Sequence, residues 1–128
     1  MNKVVLDSSA LLALLNSEPG SEKLTAELLS VAVCSTVNLA EVHSKLVSRG
    51  LSESDAWSDA TAPISELADF TVAHAQLTGD LVRQTRRFGL SLGDRACLAL
   101  GMELGVPVYT TDRSWSKLHL PVQINVIR

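Results

Sequence analysis

Short, wholly apolar runs alternate along this chain with longer stretches in which apolar residues recur every three or four positions, and no other feature constrains the fold as much. Val4, Val5 and Leu6 end at Asp7 and lead through Ser8 and Ser9 into a helical stretch over 10–15. Glu18, Pro19 and Gly20 break the chain, and Ser21 opens a helix to about residue 30 with Leu24, Leu28 and Leu29 at core-facing spacing. A second apolar run at 31–34 feeds a helix that carries Leu39, Val42, Leu46 and Val47 on one face, with Glu41 in its first turn. Gly50 ends that helix, Ser52 caps the next, and Pro63 terminates it. A third strand is expected at 69–73, then a helix over 74–87 and another from Ser91 to residue 104. Strands at 106–109 and 122–127 complete the pattern. Strands alternating with helices imply an α/β fold, a parallel sheet with helices on both faces. Ligands of such sheets bind beyond the carboxyl ends of the strands, where Asp7 and Asp112 fall.

The 128 residues have the length of one domain, and no repeat or linker divides them, so 1–128 is read as a single unit. Asp7, Ser8 and Ser9 interrupt what would otherwise pass for an export signal. No window reaches the ~18 uninterrupted apolar residues of a membrane span, and the expectation is a soluble, cytoplasmic protein. Cys34 and Cys97 lie in apolar runs without metal-ligand spacing and read as buried free thiols.

Each candidate acid has an ordinary structural role. Asp7 is placed to cap the first helix, and Asn38 with Glu41 matches a capping box in which Lys45 offers Glu41 an ion pair. Asp94 stands three residues after Ser91 at a helix start, and Asp112 fits a turn. Their conjunction is more informative, because all four lie just after strands or at helix starts, at one edge of the sheet. Carboxylates gathered there repel one another, which forces at least one toward protonation unless a cation intervenes. An oxygen-only donor set suits a hard cation, Mg²⁺ or Mn²⁺ rather than Zn²⁺, and such sites commonly serve phosphodiester hydrolysis by water.

The motifs themselves are familiar in type. Residues 5–14 (VLDSSALLAL) resemble the opening motif of PIN domains, particularly of VapC-type toxins; 38–42 (NLAEV) resemble the second motif, 90–100 (LSLGDRACLAL) the third, and 108–115 (VYTTDRSW) the fourth. The resemblance covers the whole chain. It implies a Rossmann-like α/β/α sandwich with a central, mostly parallel five-stranded sheet and Mg²⁺-dependent endoribonuclease activity. It further implies a fold that often dimerises and inhibition by a cognate VapB-type antitoxin. Carried over by position, Asp7, Glu41, Asp94 and Asp112 would be the catalytic and metal-binding acids, with Ser9 and Thr110 as supporting hydroxyls that orient them. Arg95 and Arg113 adjoin the acids and are left outside this set.

A net charge of −3 runs against an RNA substrate, but the basic residues are unevenly distributed. Residues 65–128 carry seven basic and six acidic side chains, including the cluster Arg83, Arg86 and Arg87, so a local basic face remains open. Aromatics make up only 4%, which argues against extensive base stacking, and packing is the expected role of Trp57 and Trp115. A non-catalytic PIN-like module that binds RNA or protein is the alternative reading. A haloacid-dehalogenase-like phosphatase needs a second Asp where Ser9 stands, and a receiver domain needs paired acids after its first strand. Neither pattern is present.

Overall fold

The computed structural model describes residues 2–128. Five strands, β1 (Val4–Leu6), β2 (Ala32–Ser35), β3 (Glu66–Ala68), β4 (Val108–Thr110) and β5 (Ile124–Val126), form one sheet in the order β3-β2-β1-β4-β5. Every pairing is parallel, so the sheet is more uniform than the mostly parallel one expected. Val5 of β1 stands opposite Val33 on one side and Val108 on the other. The chain runs outward from β1 through β2 to β3, then returns to the other side of β1 for β4 and β5. The switch point therefore lies at the carboxyl ends of β1 and β4.

Among the described residues seven α-helices accompany the sheet: α1 (Ser8–Leu15), α2 (Ala26–Leu29), α3 (Thr36–Ser48), α4 (Glu53–Thr61), α5 (Val72–Asp80), α6 (Val82–Thr85) and α7 (Leu92–Leu104). Alternation along β1 explains why its run is apolar at every position. Val5 packs with Val33, Val108 and the Cys97–Leu100 stretch of α7, whereas Val4 and Leu6 face Ala10, Ala13, Leu24 and Ala32. A third cluster joins Leu11 and Leu12 of α1 to Leu39, Val42 and Leu46 of α3 and to Ala56 and Ala60 of α4. Cys34 and Cys97 are buried free thiols, as expected, and burial pushes the Cys34 thiol up to about 12. Trp115 is fully buried, as expected of a packing residue, whereas Trp57 is 49% exposed and forms a T-shaped pair with the His43 ring. Among the described residues no helix is long and apolar enough to cross a membrane.

Several local expectations fail for physical reasons. The third strand is Glu66–Ala68 rather than 69–73; it is a sheet edge with an exposed pattern, which leaves little apolar signal. Thr71 and His74 instead form a capping box that starts α5 within the expected strand. The helix expected over 74–87 is broken into α5, α6 and a 3-10 turn at Arg86–Phe88, and the Thr85 hydroxyl donates to the Leu81 carbonyl at 2.8 Å near the break. The helix expected from Ser21 is a 3-10 turn at Ser21–Lys23, followed by the single turn of α2 under its own cap, Thr25.

Gly20 shows how the far edge is held. Its φ of +95° lies in the left-handed region, and a Cβ there would collide with the Ile127 carbonyl just beyond β5. Gly20→Ala is expected to lower stability by roughly 2–4 kcal/mol, combining backbone strain with overpacking. Urea unfolding followed by circular dichroism checks this, and an unchanged midpoint would contradict the close approach.

Candidate active site

Asp7 follows the last residue of β1 and is only 2% exposed. Its Oδ1 accepts from the Ala10 backbone N–H and the Ser9 hydroxyl, both at 2.8 Å, and its Oδ2 accepts from the Thr110 hydroxyl at 2.6 Å. The same Thr110 oxygen accepts the Asp112 N–H at 3.1 Å, and the Ser9 oxygen accepts the Thr111 N–H at 3.0 Å. Ser9 and Thr110 thus tie the end of β1 to the loop after β4 and hold Asp7 in place.

Glu41 lies in the second turn of α3, because Ser35 rather than Asn38 caps that helix. The expected capping box does not form, and the ion pairs among the described residues do not include one between Glu41 and Lys45. Asn38 has a different role, which sequence reasoning missed. Buried at 1% exposure, its Nδ2 donates to Glu41 Oε1, to the Gly93 carbonyl (both 3.0 Å) and to Ser8 Oγ at 3.2 Å, joining α1, α3 and α7. The Ser8 hydroxyl also donates to Glu41 Oε1. Gly93 was missed as well. A Cβ there would fall inside contact distance of both Glu41 carboxylate oxygens, so any larger residue would displace this carboxylate. The available signal was the Asn38–Glu41 spacing, which puts both on one helical face.

Asp94 completes the capping box anticipated from Ser91: its Oδ2 accepts the Ser91 N–H at 2.9 Å, and Ser91 Oγ accepts the Asp94 N–H at 3.2 Å. Asp112 Oδ1 accepts from the Ser114 N–H at 2.9 Å and from its hydroxyl at 2.7 Å, opening a 3-10 turn over Arg113–Lys117. Asp94 Oδ1, Asp112 Oδ2 and Glu41 Oε2 accept no hydrogen bond from the described residues. Arg95 is turned away, donating to the Thr78 carbonyl at 2.9 Å, and Arg113 bonds the Arg128 carbonyl at 3.3 Å.

The four acids share one electrostatic field. Burial holds the Asp94 carboxyl above its ordinary value despite its hydrogen bonds to Ser91, and the charges of Glu41 and Asp112 add to the effect. Asp7 is raised from 3.8 to about 6, chiefly by burial, with the charge of Asp94 the smallest contributor. The expected push toward protonation is therefore present at Asp7, but desolvation rather than crowding dominates it. Among the described residues, no three His, Cys, Asp or Glu side chains converge as a ready metal cage. Glu41 and Asp94 line a cleft of about 320 Å³ with Ser8, Ser9 and Thr111, and Lys45 and Arg49 line it too. Glu41, Lys45 and Arg49 follow at four-residue intervals, so an acid and a cation share one face of α3 and a second cation stands at its C-cap.

A family model described as PIN domain matches residues 4–119. No curated protein matches the chain in sequence. The structure of VapBC2 from Rickettsia felis, bound to a DNA fragment from their promoter, matches with a TM-score of 0.76 at 18% identity, covering 99% of this chain and 100% of that one. DNA-bound VapBC from Salmonella typhimurium gives 0.75 at 16% identity, covering 100% of both chains. A Mycobacterium tuberculosis VapC, described as a sarcin-ricin loop cleaving toxin, gives 0.71 at 16% identity, covering 94% of this chain and 98% of that one. At these identities the likeness is one of fold.

The burial of Asp7 makes stability depend on pH. Between pH 3.8 and about 6 the unfolded chain has released a proton that the folded chain retains, so the stability present below this window is lost as pH rises through it. The difference between the two values is worth roughly 3 kcal/mol at most. Asp7→Asn keeps the shape and removes the charge, and is expected to stabilise the metal-free protein at pH 7.5 by roughly 1–3 kcal/mol, the gain shrinking toward zero near pH 4. Urea titrations at both pH values in EDTA test this; a gain independent of pH would refute the electrostatic account.

Proposed function

The chain belongs to the PIN-domain family, and on that premise we propose that it is a metal-dependent endoribonuclease acting as the toxin of a toxin–antitoxin pair. The observation that carries the proposal is the shared negative field of Asp7, Glu41, Asp94 and Asp112 beside a cleft that also presents Lys45 and Arg49. Acids alone would repel a phosphodiester, and two cations one and two helical turns from Glu41 give it a place to bind.

The donor set suits Mg²⁺, with Mn²⁺ a substitute, since every candidate ligand is a carboxylate oxygen. Asp7, Glu41, Asp94 and Asp112 would hold the cation, Asp94 and Asp112 through the carboxylate oxygens that their caps leave free. When bound, it supplies Lewis acidity that activates water and offsets phosphate charge. The chain's own residues do the positioning. Thr110 and Ser9 lock Asp7, while Asn38 and Ser8 fix Glu41. Lys45 and Arg49 orient the neighbouring phosphates. Water adds to phosphorus, the bond to one bridging oxygen breaks, and the departing oxygen takes up a proton.

The neighbouring structures described as VapBC support a VapB-type antitoxin as partner, and a homodimer belongs to the same reading. Exposed apolar side chains at Trp57, Val72 and Leu92 offer surface for such contacts.

Incubation with total RNA and with tRNA and rRNA fragments, in Mg²⁺, Mn²⁺ or EDTA, is expected to give cleavage abolished by EDTA and by Asp94→Asn. RNA binding without cleavage under every metal would replace the enzyme with a binding module. Gly93→Ala, which displaces the Glu41 carboxylate, is expected to reduce cleavage at least about tenfold, the loss seen when a catalytic group is misplaced, with the circular dichroism spectrum retained. Full activity in that variant would remove Glu41 from the site.

A further inference from the structure

The arginine cluster evident in the sequence takes no part in the acidic cleft. Arg83 and Arg87 instead line a separate groove of about 440 Å³ with Phe88, Lys117 and His119. No carboxylate lines this groove, and no ion pair among the described residues engages Arg83, Arg87 or Lys117. Asp80, the nearest acid in sequence to Arg83, lines an adjoining depression that Arg83 also borders, without forming an ion pair with it. On a chain of net charge −3, three uncompensated cations around one groove mark a local site for an anion.

The groove also contains an aromatic surface. The Arg87 guanidinium carbon lies 5.1 Å from the centroid of the Phe88 ring, and Phe88 is half-buried against the core cluster that includes Trp115. An anchored ring paired with a guanidinium suits a nucleobase better than it suits an acidic peptide, since bases stack on both planes while their phosphates seek the cations.

Chain connectivity links this groove to the acids. The turn Arg86–Phe88 stands just before Ser91 and Asp94, and the turn that ends at Lys117 is capped by Asp112. We propose that this groove holds single-stranded RNA to one side of the cleavage point, with phosphates on Arg83, Arg87 and Lys117 and one base against Phe88. The proposal rests on the ribonuclease reading and adds a substrate-binding surface outside the acidic cleft.

Binding is measured on the Asp94→Asn protein by fluorescence anisotropy with a labelled single-stranded RNA, titrated from low to moderate salt. Adding Arg83→Gln, Arg87→Gln and Lys117→Gln together is expected to weaken binding at least about tenfold and to lower the log–log salt slope by about 2, since each phosphate no longer neutralised removes roughly 0.7. A Lys3→Gln/Lys23→Gln control, away from the groove, is expected to leave the slope nearly unchanged. If the wild-type protein cuts no RNA but the triple change still lowers affinity and slope, the groove stands and the ribonuclease reading falls. An unchanged affinity and slope, or no measurable RNA binding, overturns the groove.

Discussion

A carboxylate buried at the tip of the central strand organises this molecule. Asp7 directly follows β1, which has neighbours on both sides and is covered on both faces, so its side chain emerges into protein rather than water. Burial of that kind is tolerable only with hydrogen-bond donors at hand. Ala10, Ser9 and Thr110 supply them, and by doing so they fasten α1 and the end of β4 to β1. The carboxyl still remains raised to about 6, so the fold retains an unfavourable charge where the sheet reverses its winding.

Helix capping then sets most of the remaining geometry. Asp7, Asp94 and Asp112 each give one oxygen to backbone N–H groups at the start of a helix or turn. An ordinary stabilising interaction thereby aims the carboxylates, and a structural role and a chemical one coexist in one side chain. Glu41 is positioned differently. It lies a turn further along its helix, held by Asn38 and Ser8, with its carboxylate in the space that the absent side chain of Gly93 leaves.

Charge is divided over the surface in a way that the net value conceals. Acids collect at the carboxyl edge of the sheet, Lys45 and Arg49 border them on α3, and Arg83, Arg87 and Lys117 gather at a separate groove. The protein therefore offers a polyanion cations at two places, beside the acids on α3 and at the separate groove.

The residue pattern by itself determined the class of fold, because strands buried on both faces must be apolar throughout, and it placed Asp7, Asp94 and Asp112 at a strand end and at the starts of a helix and a turn. Trp115 as core and Cys34 and Cys97 as inert thiols followed from the same apolar context. The tertiary structure alone decided the rest. β3 escaped notice since an edge strand with exposed side chains needs no apolar run, and Thr71 starts a helix where a strand was expected. The true cap of α3 was invisible because Ser35 and Asn38 are both good capping residues, and only the path of the chain out of β2 selects between them. The work of Asn38 and Gly93 depends on α1, α3 and α7 meeting at one point, and contacts between residues 55 apart leave no local periodicity to read.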